Sequence, residues 1–253
     1  MYTDEFPNML KDFAPARSVP VMKKDGIVVC DTLAIAETLA ETFPDKPFWP
    51  KAPAARAFAR SIVAEMHAGF GALRGACPMN LEYQWDGFKP DADVLADCQR
   101  MEYLWQSART QFGEGGKWLF GEYSIADVFF APAATRFVTY NLPRSEAAQV
   151  YIDSHLNDKT FRRWRAMGRA QNYRQPNYDM QLPTKPWPGP KPLDAAPVPS
   201  GPSENATCPY SGDPVTDFLA IKDRTFGFCN PFCRDKTLAD PEAWDDFMAV
   251  YQK

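Results

Sequence analysis

The sequence is poor in histidine, with two in 253 residues, and it holds no long apolar run. Its uninterrupted apolar stretches fall far short of the roughly 20 residues that a membrane-spanning helix needs. The start, MYTDEFPNML, has neither the basic nor the apolar region of a secretory leader. These absences argue against a membrane partner and for a cytoplasmic location. Lys and Arg total 28 against 32 for Asp and Glu, a net charge of -4, and no basic stripe gathers anywhere. That balance argues against nucleic acid as a partner. Six cysteines are too few and too scattered for a secreted disulfide scaffold, yet three of them crowd into the last 46 residues. Such crowding reads as thiol or metal chemistry. Apolar residues are plentiful at 45%, enough for one core of ordinary size and a small second one.

Proline divides the chain. Residues 171–207 carry nine prolines in 37 positions, including the run from Pro183 to Pro192. No helix or central strand survives that spacing. Successive prolines favour polyproline II at about 3.1 Å per residue, so the segment reads as a semi-rigid spacer or as a strap over a domain surface. It separates a larger body, 1–170, from a tail, 208–253.

The body opens with an amphipathic stretch, Tyr2 to Phe13, followed by two short apolar runs, Val19–Met22 and Ile27–Cys30, around Asp25-Gly26. This is a β-hairpin signal. Asp31 then offers an N-cap to a helix over 32–43, which Pro44 stops. Beyond Pro53 only helical periods follow: 54–73, 91–112, 125–140, 146–156 and 160–167. The second is the clearest, with Val94, Cys98, Met101, Trp105, Ala108 and Phe112 in alternating steps of four and three. The third opens with Ser124-Ile-Ala-Asp127, a reciprocal capping pattern.

Ser18-Val-Pro-Val21, the run from Val29 to Ala36, and the Ser124–Asp127 box, in that order, resemble the cytosolic glutathione transferases. The resemblance covers about residues 1–170. It implies an α+β, mainly α fold: a truncated thioredoxin-like α/β domain over 1–46 and an all-helical C-terminal domain over 47–170, then the proline-rich linker over 171–207. It also implies a cis Val19–Pro20 bond and glutathione held by Ser18, Val19, Pro20, Asp31 and Thr32. The backbone at Val19 would pair with the cysteinyl part of the peptide, and the start of the helix at Asp31 and Thr32 would take the γ-glutamyl end. Read without the resemblance, Asp31 is an ordinary N-cap and Pro20 a strand-edge proline.

In that family a strand, a helix and a second strand come first, and their first turn carries the Ser, Tyr or Cys that activates the glutathione thiol. That segment has no counterpart in this sequence, whose start falls at the family's second helix, so Met1 is expected to be an internal methionine of a longer protein, or the N-terminus to have been lost. No residue is assigned here as the activating group. On the first helix of the helical part, His67, Phe70 and Arg74 are spaced to share one face, suited to orienting an acidic or carbonyl-bearing electrophile. The bland reading is a core histidine and a surface ion pair. His155, near a helix C-terminus, is expected to complement the dipole. Cys30, Cys77 and Cys98 read as structural thiols.

In the tail, Cys208 is followed after twenty residues by Cys229 and then Cys233, with a hairpin between. Asp240 and Pro241 then open a helix bearing Trp244, Phe247, Met248 and Tyr251. The pattern resembles the YHS and TRASH-type cysteine modules, small treble-clef-like units, over 208–253. That resemblance implies metal ligation by Cys208, Cys229 and Cys233. Three thiolates suit Zn with a fourth ligand from water, Asp213, Asp235 or another cysteine, or Cu(I). A metal-free mini-domain, or a Cys229–Cys233 disulfide, stands beside that reading. The whole is read as a glutathione transferase-like homodimer acting on a small electrophile. The alternative is a non-catalytic scaffold, or a metal-binding or interaction protein working through its tail.

Overall fold

The computed structural model describes residues 5–253. The expectations placed on Met1 and Tyr2 lie outside the described residues. The fold is mixed α+β, with small antiparallel sheets and many helices, as for a thioredoxin-like α/β part followed by a helical part. The residues up to 74 together with 96–133 form one compact unit, and 75–95 with 134–253 form another.

The chain begins with a short helix, α1 (Phe6–Met9). Strands β1 (Val21–Lys24) and β2 (Ile27–Cys30) pair antiparallel with Lys24 opposite Ile27. The two-residue turn between them, Asp25-Gly26, has positive φ at both positions, the geometry whose twist suits a tight hairpin. Asp31 caps α2 (Thr32–Thr42). Helix α3 (Pro53–Ala68) has proline at its first position and buries Ala55, Ala59, Ile62, Val63 and Met66. It ends at Gly69, and α4 (Gly71–Ala76) starts anew. The single helix expected over 54–73 is therefore two. Phe70, at φ 58, makes the break. A Cβ on Gly69 would stand 2.7 Å from the Glu65 carbonyl oxygen, so the close approach that ends α3 requires glycine.

After β3 (Gln84–Trp85) come α5 (Ala92–Phe112) and α6 (Ile125–Thr139). The seam on α5 is observed: Val94, Cys98, Met101, Trp105 and Ala108 are buried. At the start of α6 the fully buried Asp127 accepts from the Ser124 amide at 2.9 Å and the Leu119 amide at 3.1 Å, while the Ser124 hydroxyl donates to the same carboxylate. Two further helices follow, α7 (Glu146–Asn157), capped by Ser145, and α8 (Lys159–Ala170), capped by Asp158.

The proline-rich segment is ordered as a strap. Its β4 (Thr184–Lys185) pairs with β3, and its β5 (Ala195–Val198) is the edge of a sheet ordered β5-β6-β7. The edge position suits Pro197, which has no amide hydrogen to give to a ladder. Between them the Trp187 ring lies 4.2 Å from the buried Arg165 guanidinium. Strands β6 (Asp217–Ile221) and β7 (Arg224–Phe228) lead into α9 (Pro231–Ala239) and then α10 (Asp245–Tyr251). Leu219, Ile221, Phe226, Phe228 and Phe247 form the tail's own core around Cys208 and Cys233. The last helix starts at Asp245, and Asp240 does not cap it; that carboxylate is taken by Arg162 instead.

Candidate functional site

The register of the first hairpin builds the first candidate site. Val21 lies opposite Cys30, so Pro20 and Asp31 step off the same end of the two strands. The Val19–Pro20 peptide is cis, as is Ala14–Pro15. Ser18, Val19 and Pro20 are exposed. Asp31 sits at φ 80 and caps α2, its Oδ1 accepting from the Leu33 amide at 2.8 Å. Its other oxygen, Oδ2, is 2.9 Å from Nε2 of His67. The Nδ1 of the same ring is 3.4 Å from the Thr32 hydroxyl, and the ring stands edge-on to Phe129. With the proton on Nε2, the imidazole donates to Asp31 and accepts from Thr32. A carboxylate, a hydroxyl, an imidazole and the start of a three-turn helix thus converge beside an exposed strand end. That combination suits a zwitterion: the helix start favours a carboxylate and Asp31 an ammonium.

The shared face expected for His67, Phe70 and Arg74 does not exist. The break at Gly69-Phe70 buries the Phe70 ring and turns Arg74 back onto α3, where its Nη1 donates to the carbonyls of His67 at 3.0 Å and Gly69 at 3.3 Å. Arg74 thereby satisfies carbonyls that the end of α3 leaves open. The expectation for His155 is also corrected. It lies in the last turn of α7, fully buried, and burial holds its pKa down to about 3, so it stays neutral and cannot act as a cation on the dipole. Burial likewise pushes the Cys98 thiol up to about 12, in keeping with a structural thiol; Cys77 is buried too.

The tail forms the second candidate site. The Sγ atoms of Cys208, Cys229 and Cys233 all lie within 4.8 Å of one another, and all three are free thiols. Cys208 sits in a turn closed by Gly212 N–H to its carbonyl at 2.9 Å and by its own N–H to Asp213 at 2.8 Å. Cys229 follows β7, and Cys233 enters the first turn of α9, where the Asn230 cap accepts from its amide at 2.8 Å. Burial alone raises the Cys208 pKa, but N–H donors from Tyr210, Cys229 and Ser211 overcome it and bring it down to about 7. Burial and the nearby Cys208 push Cys233 up to about 11. Neither Asp213 nor Asp235, two of the alternatives for a fourth ligand, joins the cluster among the described residues; Asp235 pairs with Arg234 at 2.8 Å. Two neighbours went unforeseen: Ser211 Oγ and Asn230 Nδ2 donate to Cys229 Sγ at 3.3 and 3.2 Å. The Cys-Pro-x-Ser-Gly turn was the one sequence signal for Ser211, and for the Asp31–His67 pair there was none.

The profile of the family described as "Glutathione S-transferase, N-terminal domain" matches residues 1–47. A protein of Caenorhabditis elegans named "Probable maleylacetoacetate isomerase" is 31% identical over 150 residues, which cover 57% of this chain and 67% of that protein. The "Maleylacetoacetate isomerase" of Rattus norvegicus is 28% identical over 183 residues, covering 71% of this chain and 80% of the relative. That of Mus musculus is 28% identical over 158 residues, covering 62% and 67%. Of the first candidate site, Ser18, Val19, Pro20, Asp31 and Thr32 lie inside the matched profile and His67 lies beyond it, and the chain belongs to the glutathione S-transferase family.

Proposed function

We propose that this protein uses glutathione in chemistry on a small electrophile, and that the reaction is an isomerisation of the kind named for its relatives, with maleylacetoacetate as the first substrate to try. The observation that carries the reading is the juxtaposition of the Val19–Pro20 strand end with Asp31 and Thr32 at the start of α2. In this reading the backbone at Val19 pairs with the peptide of glutathione, beside Ser18 and Pro20. The γ-glutamyl carboxylate meets the first turn of α2 and the Thr32 hydroxyl, and its ammonium meets Asp31. His67 holds Asp31 and Thr32 in place by bridging them. The bound glutathione supplies the nucleophilic sulfur. Phe70 and Arg74 keep the structural tasks described above and are left out of the electrophile pocket. By family resemblance the protein acts as a cytoplasmic homodimer, with domains divided at 46, 170 and 207.

Calorimetric titration with glutathione tests the site. The parent chain is expected to bind, and Asp31→Asn, which keeps the cap but removes the charge, is expected to bind about tenfold or more weakly. Equal binding by both would defeat the assignment. Isomerase assays with glutathione present and absent test the reaction, and glutathione binding with no turnover would leave a scaffold.

A second reading rests on the sulfur cluster. Three thiols within 4.8 Å of one another support a site for a thiophilic metal, Zn or Cu(I), in a YHS-like tail. Metal analysis of the purified chain, with Cys229→Ser as the control, tests it: one metal per chain, lost in the variant, is expected.

A further inference from the structure

If the tail holds a metal, as the second reading has it, the donors around the three cysteines also determine how open the centre is; the inference rests on that reading. Cys208 and Cys233 are buried, with the rings of Tyr210, Phe228 and Phe247 among their surroundings. Cys229 is half-buried, and the two side chains that reach its sulfur, Ser211 and Asn230, do so at the exposed surface. Among the described residues no fourth cysteine, histidine or carboxylate joins the group. A tetrahedral centre built here has one corner without a charged protein ligand, on the Ser211 side. A neutral serine hydroxyl is a weak ligand for a soft metal beside thiolates.

The charge balance points the same way. Three thiolates carry three negative charges, so a divalent ion leaves one and a monovalent ion two. The structure already supplies offsets: the Ser211 and Asn230 donors onto Cys229, and the Lys236 ammonium. That ammonium is held over the Tyr210 ring at 3.6 Å and the Trp244 ring at 4.3 Å, one helical turn beyond Cys233. A fixed cation and neutral donors around an anionic cluster stabilise a metal-thiolate centre that retains net negative charge.

We propose that the cluster is a three-thiolate metal site whose fourth position, beside Ser211, is open and exchangeable, and that a small-molecule thiolate occupies it. In the exchange step the incoming sulfur donates a lone pair to the metal and a bound water leaves. No electron is transferred, and the thiol proton goes to solvent. Such a centre passes metal to and from a thiol carrier by ligand exchange, whereas a closed four-ligand site holds its metal for structure alone.

Cobalt(II) titration of the reduced full chain under anaerobic conditions tests this. One Co(II) per chain is expected, with intense sulfur-to-cobalt charge-transfer absorption. A stoichiometric addition of a small thiol is expected to shift the d–d bands of the bound ion. In Ser211→Cys the added cysteine closes the fourth corner: affinity rises about tenfold or more, and the thiol-dependent shift disappears. If the reduced chain takes up no Co(II), this proposal falls, and if it takes up no Cu(I) either, the metal reading falls with it. If it binds Co(II) but added thiol leaves the bands unmoved and Ser211→Cys binds no tighter, the metal reading stands and the open position does not.

Discussion

Arg162 and Asp240 face each other across 78 residues of sequence in a two-armed ion pair, Nε to Oδ2 at 2.8 Å and Nη2 to Oδ1 at 2.7 Å. Only 15% and 4% of their side-chain surfaces are exposed. The pair fixes α8 to the turn after α9, and neighbouring arginines do the same: Arg163 donates to the Ala243 carbonyl at 2.6 Å and Arg169 to that of Ala239 at 3.2 Å. The tail is thus tied to α8 by charged hydrogen bonds.

Removing one half of that pair strands the other. Asp240→Ala leaves the Arg162 guanidinium buried, with Glu242 at 3.9 Å as the nearest remaining acid. The expected loss is about 3 kcal/mol of unfolding free energy. Adding Arg162→Met to Asp240→Ala removes the orphaned charge and is expected to restore most of that loss. Denaturant unfolding of Asp240→Ala, Arg162→Met and the double variant decides it. A double variant as unstable as the sum of the single ones would mean that the two residues act independently.

What could be read in the sequence was local. The Asp25-Gly26 turn, the Asp31 cap and the α5 seam from Val94 to Ala108 depend on neighbours within a few residues, and each is found as expected. The break at Gly69 was not legible, because apolar spacing runs on through Phe70 and Leu73 while a carbonyl contact at Glu65 ends the helix. Asp240 shows the opposite failure: it satisfies the local rule for a cap, and a longer-range charge claims it. Of the first candidate site, the residues were legible through the family pattern. The ring that joins Asp31 to Thr32 was not, because it comes from a helix some 35 residues further on.

His155 predicts an acid-side loss of stability. In the folded chain burial holds its pKa at about 3, against 6.5 for an unperturbed imidazole. Between those values the unfolded chain binds a proton that the folded chain does not, so stability falls as pH falls through 6.5 toward 3. The slope from this group is at most about 1.4 kcal/mol per pH unit, and it fades to nearly nothing above about pH 8. His155→Gln is expected to shrink the change in Tm between pH 7 and pH 5, a range in which few other groups titrate. An unchanged pH profile in that variant would show that His155 is not the group responsible.

Gly227 in β7 predicts an ordered set of stabilities in the tail. Its amide donates to the Asn205 side-chain oxygen at 2.9 Å and its carbonyl accepts from the Asn205 side-chain amide at 2.7 Å, so the backbone here is held from both ends. A Cβ on residue 227 would stand 2.7 Å from Cβ and from Cγ1 of Val215. Rotating the valine moves its methyl groups but not its Cβ, so the clash must be relieved by backbone movement two residues from Cys229. Gly227→Ala is expected to cost about 1–3 kcal/mol. Val215→Ala removes the methyl groups and keeps the offending Cβ, so added to Gly227→Ala it is expected to give little relief. Val215→Gly removes the Cβ itself. Relative to a Val215→Gly background, Gly227→Ala should therefore cost much less than it does in the parent chain. Chemical denaturation of the four variants measures that coupling, and a cost for Gly227→Ala that is the same in both backgrounds would rule out the Val215 contact as its cause.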